Sequence, residues 1–223
     1  MNMTKKLQSI ITPGTVIKTK HKNSNDWVFT IVISAYENNL LEIRHVEEYL
    51  VSVVMIGDIL ECKIAVENTF YLLTAEVYNV KFVSRTVVLK ITDFESMQNT
   101  RRYKRYDTYL CGNYSMKGDY CDHYCVMINA SLGGFYIVTR GKLNVGDTIE
   151  LMLYHKKTIF LFTECVVQRV NEKDQNYFYG LSIVGVHEKS IKPFRNFIRS
   201  VQRKETMLHK KLKSQNGDFN IML

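Results

Sequence analysis

Two short segments carry the residues best suited to chemistry: Arg101-Arg102-Tyr103-Lys104-Arg105 and Asn129-Ala130-Ser131-Leu132-Gly133-Gly134. Arg has a planar fork that bonds phosphate or a guanine edge in bidentate fashion and also stacks on a base, which the point charge of Lys cannot do. Asn and Ser bond base edges, and Gly lets a backbone approach closely. Together the segments read as a guanine-and-phosphate site. Taken singly, a basic pentamer is an ordinary solvated loop and a Gly-Gly after Asn-Ala-Ser is an ordinary turn.

The order of the two segments resembles the PilZ domain, a bacterial receptor module for cyclic di-GMP. Its signature is Arg-x-x-x-Arg followed by (Asp/Asn)-x-Ser-x-x-Gly. Arg101 and Arg105 match the first part; Asn129, Ser131 and Gly134 match the second. Tyr103 inside the first motif, the strand Tyr179-Gly180-Leu181 and a terminal helix from about Lys189 fit the same pattern, whereas Thr100 stands where relatives often carry another Arg. The resemblance implies that Arg101, Arg102 and Arg105 hold phosphate or guanine edges, that Asn129 and Ser131 bond a guanine, and that Gly133 and Gly134 let the chain pass close to it.

Composition sets the frame around these motifs. A chain of 223 residues, 46% hydrophobic and 23% charged, is long enough for one large or two small globular domains. No apolar run reaches the length of a membrane span, and Met1-Asn2-Met3-Thr4-Lys5-Lys6 lacks the apolar core of a signal peptide, so a cytoplasmic location is expected. Five cysteines, an odd number, point to reduced thiols. A net charge of +8 favours anionic partners without choosing among them.

Runs of β-branched and aromatic residues between turn signals predict strands near 15–20, 27–34, 40–44, 58–65, 69–78 and 81–92, then 106–114, 123–129, 134–139, 147–154, 158–171 with a bend or bulge, and 177–184. Pro13-Gly14, Asn23-Ser24-Asn25 and Gly57-Asp58 punctuate the first set. The expected fold is mainly β: two small antiparallel β-barrels in tandem with a C-terminal α-helix. Residues 1–95 form the first domain in this reading and 96–223 the second, with a short polar linker over 93–100. Ile191, Phe194, Ile198 and Val201 recur at helical spacing, Pro193 fits the first turn, and the helix is expected to fray after about Lys204 into a polar tail. No internal repeat shows at a fixed solenoid period.

Pro13-Gly14-Thr15, a Gly-Asp before a strand and an arginine motif past the junction extend the resemblance to the YcgR-like flagellar brake proteins, which carry a barrel ahead of the PilZ domain. That resemblance implies a cyclic di-GMP receptor coupling ligand binding to interdomain rearrangement, restraining flagellar motility through motor or switch proteins at the basal body. Control of exopolysaccharide synthesis or of transcription is the alternative output. Neither cofactor nor metal is implied. Cys121, His123 and Cys125 share a strand face, but the two thiols would lie about 13 Å apart along the strand, against roughly 4 Å around one zinc. No nucleophile elbow, Walker sequence or Gly-x-Gly-x-x-Gly occurs, which argues against an enzyme. A nucleic-acid-binding barrel is a further alternative, weakened by fourteen tyrosines spread through strands where sheet packing accounts for them.

Overall fold

The computed structural model describes residues 10–22, 24, 27–45, 54–66, 69–116, 119 and 122–217. The residues 1–6 and Cys121, used in the reading above, lie outside them, as do two positions of the 23–25 turn. Twelve strands and one long helix appear among the described residues. Six strands, β1 (Val16–His21), β2 (Val28–Ala35), β3 (Leu40–Arg44), β4 (Ile59–Val66), β5 (Thr69–Lys81) and β6 (Thr86–Gln98), close into an antiparallel barrel in the order β1-β2-β3-β6-β5-β4. The other six are β7 (Tyr106–Met116), β8 (His123–Ser131), β9 (Gly134–Thr139), β10 (Thr148–His155), β11 (Thr158–Lys173) and β12 (Asn176–Gly185). They close in the order β7-β8-β9-β12-β11-β10, the same circuit shifted by six strands. Each barrel fills its interior with the inward half of a period-two pattern: Val32, Ile43, Leu60, Leu73 and Leu89 in the first, Met127, Phe135, Leu151, Phe162 and Leu181 in the second.

The likeness of the two barrels extends to register. Val77 pairs Leu89, a bulge follows, and Asn79 pairs Val88; Val167 pairs Leu181, a bulge follows, and Arg169 pairs Gly180. Ser34 pairs Glu42 after a bulge at 32/34, as Asn129 pairs Tyr136 after one at 127/129. The Gly-Asp turns match as well. In one, Asp58 Oδ2 accepts from Met55 N at 2.7 Å while Gly57 N donates to Val77 O at 2.8 Å. In the other, Asp147 Oδ2 accepts from Asn144 N at 2.7 Å while Gly146 N donates to Val167 O at 2.8 Å. Gly57 and Gly146 hold φ of 91° and 96°, which explains glycine at both. A structural repeat is therefore present that no sequence period reveals.

Three expectations need correction. Residues 93–98 are strand, not linker: they continue β6 against 69–74, with Phe94 stacked on Tyr71 at 5.5 Å. An aromatic pair and a full-length partner strand outweigh the polar composition there. The helix α1 runs Glu188–Gly217 instead of fraying after Lys204. Its Pro193 lies beyond the first turn, where the missing N–H removes one backbone bond. Phe194, Phe197 and Ile198 pack on the second core, with Phe194 edge-on to Phe135 and Phe162, whereas Ile191 is exposed. Ser190 Oγ accepts from Leu161 N at 2.9 Å, pinning the helix start to β11.

The chain divides into two units, Met1–Thr100 with Met207–Leu223, and Arg101–Thr206. Within the first unit, Leu212 is buried and the His209 ring meets Phe29 at 5.0 Å, so the last helical turns carry apolar contacts that a polar composition hides.

Candidate functional site

The second unit brings both sequence motifs together. The β8–β9 turn is closed by Ser131, which is buried; its Oγ donates to Gly134 O and accepts from Gly133 N, each at 3.2 Å. The hydroxyl assigned to a guanine thus holds the turn. Tyr103, in the middle of the arginine motif, lies on that turn: a Cβ on Gly133 would stand 2.7 Å from its ring. Gly134 needs its bare Cα for a different reason, since a Cβ there would come within 2.2 Å of Leu181 O on β12. The close approaches that these two glycines permit are to Tyr103 and to β12.

Arg105 is half-buried. Burial, then the positive charges of Arg101 and Arg169, pull its pKa below the ordinary value. Arg105 thus carries its charge half-buried and against two positive neighbours, a disfavoured state that a bound anion would relieve. Arg102 lies over the Tyr103 ring at 5.4 Å, and Lys104 reaches Glu205 of α1 at 3.1 Å while lying over Tyr106 at 5.2 Å. Lys104 is thus engaged by the helix.

Asn129 belongs to a row of paired residues across four strands: Asn129 with Tyr136, Tyr136 with Gly180, Gly180 with Arg169. Tyr136 lies between the core residues Phe135 and Ile137, so the row faces outward. Asn129 Oδ1 is buried without a hydrogen-bond partner in the described structure. A buried polar atom left so costs free energy that a bound donor would recover. The guanidinium of Arg169 lies over the Tyr136 ring at 4.9 Å, and Asn171 Nδ2 donates to Tyr136 Oη at 3.2 Å. Arg169 and Tyr136 were not singled out in the sequence. The available signal was an Arg at the expected bulge of β11, but nothing local aligns it with Gly180.

Tyr179 supports the site from beneath. Its buried hydroxyl donates to Gly141 O at 3.0 Å and accepts from Leu143 N at 2.8 Å, tying down the β9–β10 connection. His123 stacks on Tyr114 at 5.2 Å and Cys125 is fully buried in the core. Among the described residues no group of three or more His, Cys, Asp or Glu is placed to hold a metal. None of the described helices is long and apolar enough to cross a membrane.

The family described as PilZ domain matches residues 99–200. No curated protein matches the chain. Similar solved structures include the Bacillus subtilis inhibitor of motility MotI/DgrA, 15% identical, covering 88% of this chain and 98% of that one at a TM-score of 0.43. YcgR in complex with c-di-GMP from Escherichia coli is 11% identical and covers 93% and 92% at 0.47. The K. pneumonia MrkH–c-di-GMP complex is 13% identical and covers 90% and 92% at 0.49.

Proposed function

We propose that the protein, whose residues 99–200 match the PilZ domain family, is a receptor for cyclic di-GMP and acts by binding alone, with no bond made or broken. Two observations carry this reading: the half-buried Arg105, on which the charges of Arg101 and Arg169 act, and the unpartnered buried Oδ1 of Asn129. A dianion bearing two guanines suits both: negative charge offsets the positive neighbours of Arg105, and ring N–H and amino groups offer donors to the amide oxygen. Arg101, Arg102 and Arg105 take phosphate or guanine edges in this reading. Asn129 accepts from a guanine, and Ser131, Gly133 and Gly134 shape the turn that presents it.

The output we propose is restraint of flagellar motility through motor or switch proteins, from a cytoplasmic protein recruited to the basal body. It is supported by the resemblance of both halves of the sequence to the brake proteins. Ligand binding removes the repulsion within the arginine motif and orders it, and that ordering biases one arrangement of the two domains.

Calorimetric titration of the full chain tests the receptor. Cyclic di-GMP should bind, and cyclic di-AMP should compete weakly, because adenine offers an amino donor where guanine offers O6. Equal affinity for both sinks the guanine reading. Tight, salt-steep association with oligonucleotides would favour a nucleic-acid binder instead. For the output, hydrogen exchange over residues 96–106 should slow on binding and the scattering profile should change; producing the protein in motile cells should reduce swimming only while Arg101 and Arg105 are intact.

A further inference from the structure

Opposite the face that α1 buries, the helix presents a row of one charge to solvent. Lys192, Arg195, Arg199 and Arg203 recur at three- and four-residue steps and all four are exposed, while Phe194, Phe197 and Ile198 pack on the second core. At 1.5 Å per residue the row is about 16 Å long. The acids of the helix as far as Thr206 are Glu188, at its first position, and Glu205, which is taken by Lys104 at 3.1 Å. Like charges at such steps disfavour a helix, so the row works against the element that carries it.

The β10–β11 hairpin extends this positive face. Its tip is Lys156-Lys157, both exposed, and the His155 ring just before the tip lies 4.8 Å from Phe197 of α1. Burial, then the charges of Lys156 and Lys204, pull the His155 pKa below its ordinary value, so cations of the hairpin and of the helix act on one point. Tyr154 and Ile159, paired in register on either side of the tip, are exposed, and so is Ile191 beside Lys192. One end of the second unit thus combines a surface of one charge with exposed tyrosine and isoleucine.

We propose that this face, the α1 row with the Lys156-Lys157 tip, docks on an anionic lipid bilayer, its cations meeting lipid phosphates while Tyr154, Ile159 and Ile191 reach the headgroup boundary. Clusters of roughly four to eight Lys or Arg are drawn to anionic leaflets, and a bilayer offers a flat field of phosphates that calls for no pocket. A nucleic acid would use the cations but gain nothing from the isoleucines, whereas the membrane boundary favours both kinds of side chain. The contact is peripheral, and it is independent of the cyclic di-GMP reading, since none of these residues belongs to either motif.

The test is co-sedimentation of the full chain with vesicles of phosphatidylcholine, alone or mixed with phosphatidylglycerol, with melting temperatures measured alongside. Wild type should bind the mixed vesicles and not the neutral ones, and should come off as salt rises. Each lost cation should lower partitioning about fivefold, so Arg195→Gln combined with Arg199→Gln should lower it about twenty-five-fold at an unchanged or higher melting temperature. Lys156→Gln combined with Lys157→Gln, on a separate element, should have the same effect, and Ile159→Ser should weaken binding as well. If wild type ignores the mixed vesicles, or if both paired variants bind them like wild type, the inference fails. If a duplex oligonucleotide displaces the vesicles through the same arginines and Ile159→Ser partitions unchanged, the face belongs to nucleic acid and the bilayer is overturned as its partner.

Discussion

Tyr103 closes over Gly133, its ring lying where a Cβ would stand 2.7 Å from Cδ2 and 3.1 Å from Cε2. The contact joins two segments about thirty residues apart in sequence, and it makes one glycine of the pair a gauge of the site and the other a gauge of the fold. Tyr103 is partly exposed and can swing aside. The atom facing Gly134 is a backbone carbonyl of β12, which cannot.

Gly133→Ala should therefore leave the melting temperature nearly unchanged while weakening cyclic di-GMP binding several-fold, because the displaced Tyr103 carries the arginine motif with it. Gly134→Ala forces β9 and β12 apart and should cost about 1–3 kcal/mol of stability, the usual range for overpacking. Thermal melts and titrations on the two variants check the contrast; similar melting temperatures for both would refute it.

Arg101→Ala and Arg105→Ala should each reduce affinity about tenfold to a hundredfold, the loss of one or two charge-assisted bonds. Neither should destabilise the fold by much, since neither belongs to the packed core of the second barrel. Ser131→Ala acts differently: with its two turn bonds gone, the melting temperature should fall alongside a smaller loss of affinity. Unfolding and titration measured together separate the two classes.

Glu42 gives the first barrel an acid-sensitive point. Burial pushes its carboxyl pKa up, but hydrogen bonds from Thr86, Tyr36 and Lys81, with the Lys81 charge at 3.0 Å, outweigh that and hold it below the ordinary value of 4.5. A depressed folded-state pKa means stability that is fully present above about pH 4.5 and lost as pH falls through the folded value. Glu42→Gln should cost about 1–3 kcal/mol at neutral pH and flatten that acid dependence. Urea unfolding at pH 7 and at pH 4 measures both; an unchanged slope in the variant would exclude Glu42 as the source.

Burial pushes the thiols of Cys62, Cys125 and Cys165 up to about 12. They should resist alkylation at pH 8 in the folded protein and react only on unfolding, whereas Cys111 is exposed and should react at once. Site-resolved mass spectrometry after brief iodoacetamide treatment distinguishes them. Early labelling of Cys125 would contradict the closed second barrel.

The sequence by itself determined the elements. Strand positions, the amphipathic start of α1 and both ligand motifs follow from period-two and period-3.6 patterning and from turn residues, all of them local properties. Tertiary structure decided the rest, because barrel closure and register depend on which distant strands pair and on where a bulge shifts the pairing. The row Asn129–Tyr136–Gly180–Arg169 draws on four strands, and the bulge between Val167 and Arg169 sets the alignment of its last member. Residues 93–98 and 207–217 read as polar chain because their apolar partners, Tyr71 for Phe94 and Phe29 for His209, lie far away in sequence. The duplication of the barrel is hidden for the same physical reason: backbone hydrogen bonding preserves a register with different side chains, so Glu42 and Tyr136 occupy one position in the fold and have no resemblance in the sequence.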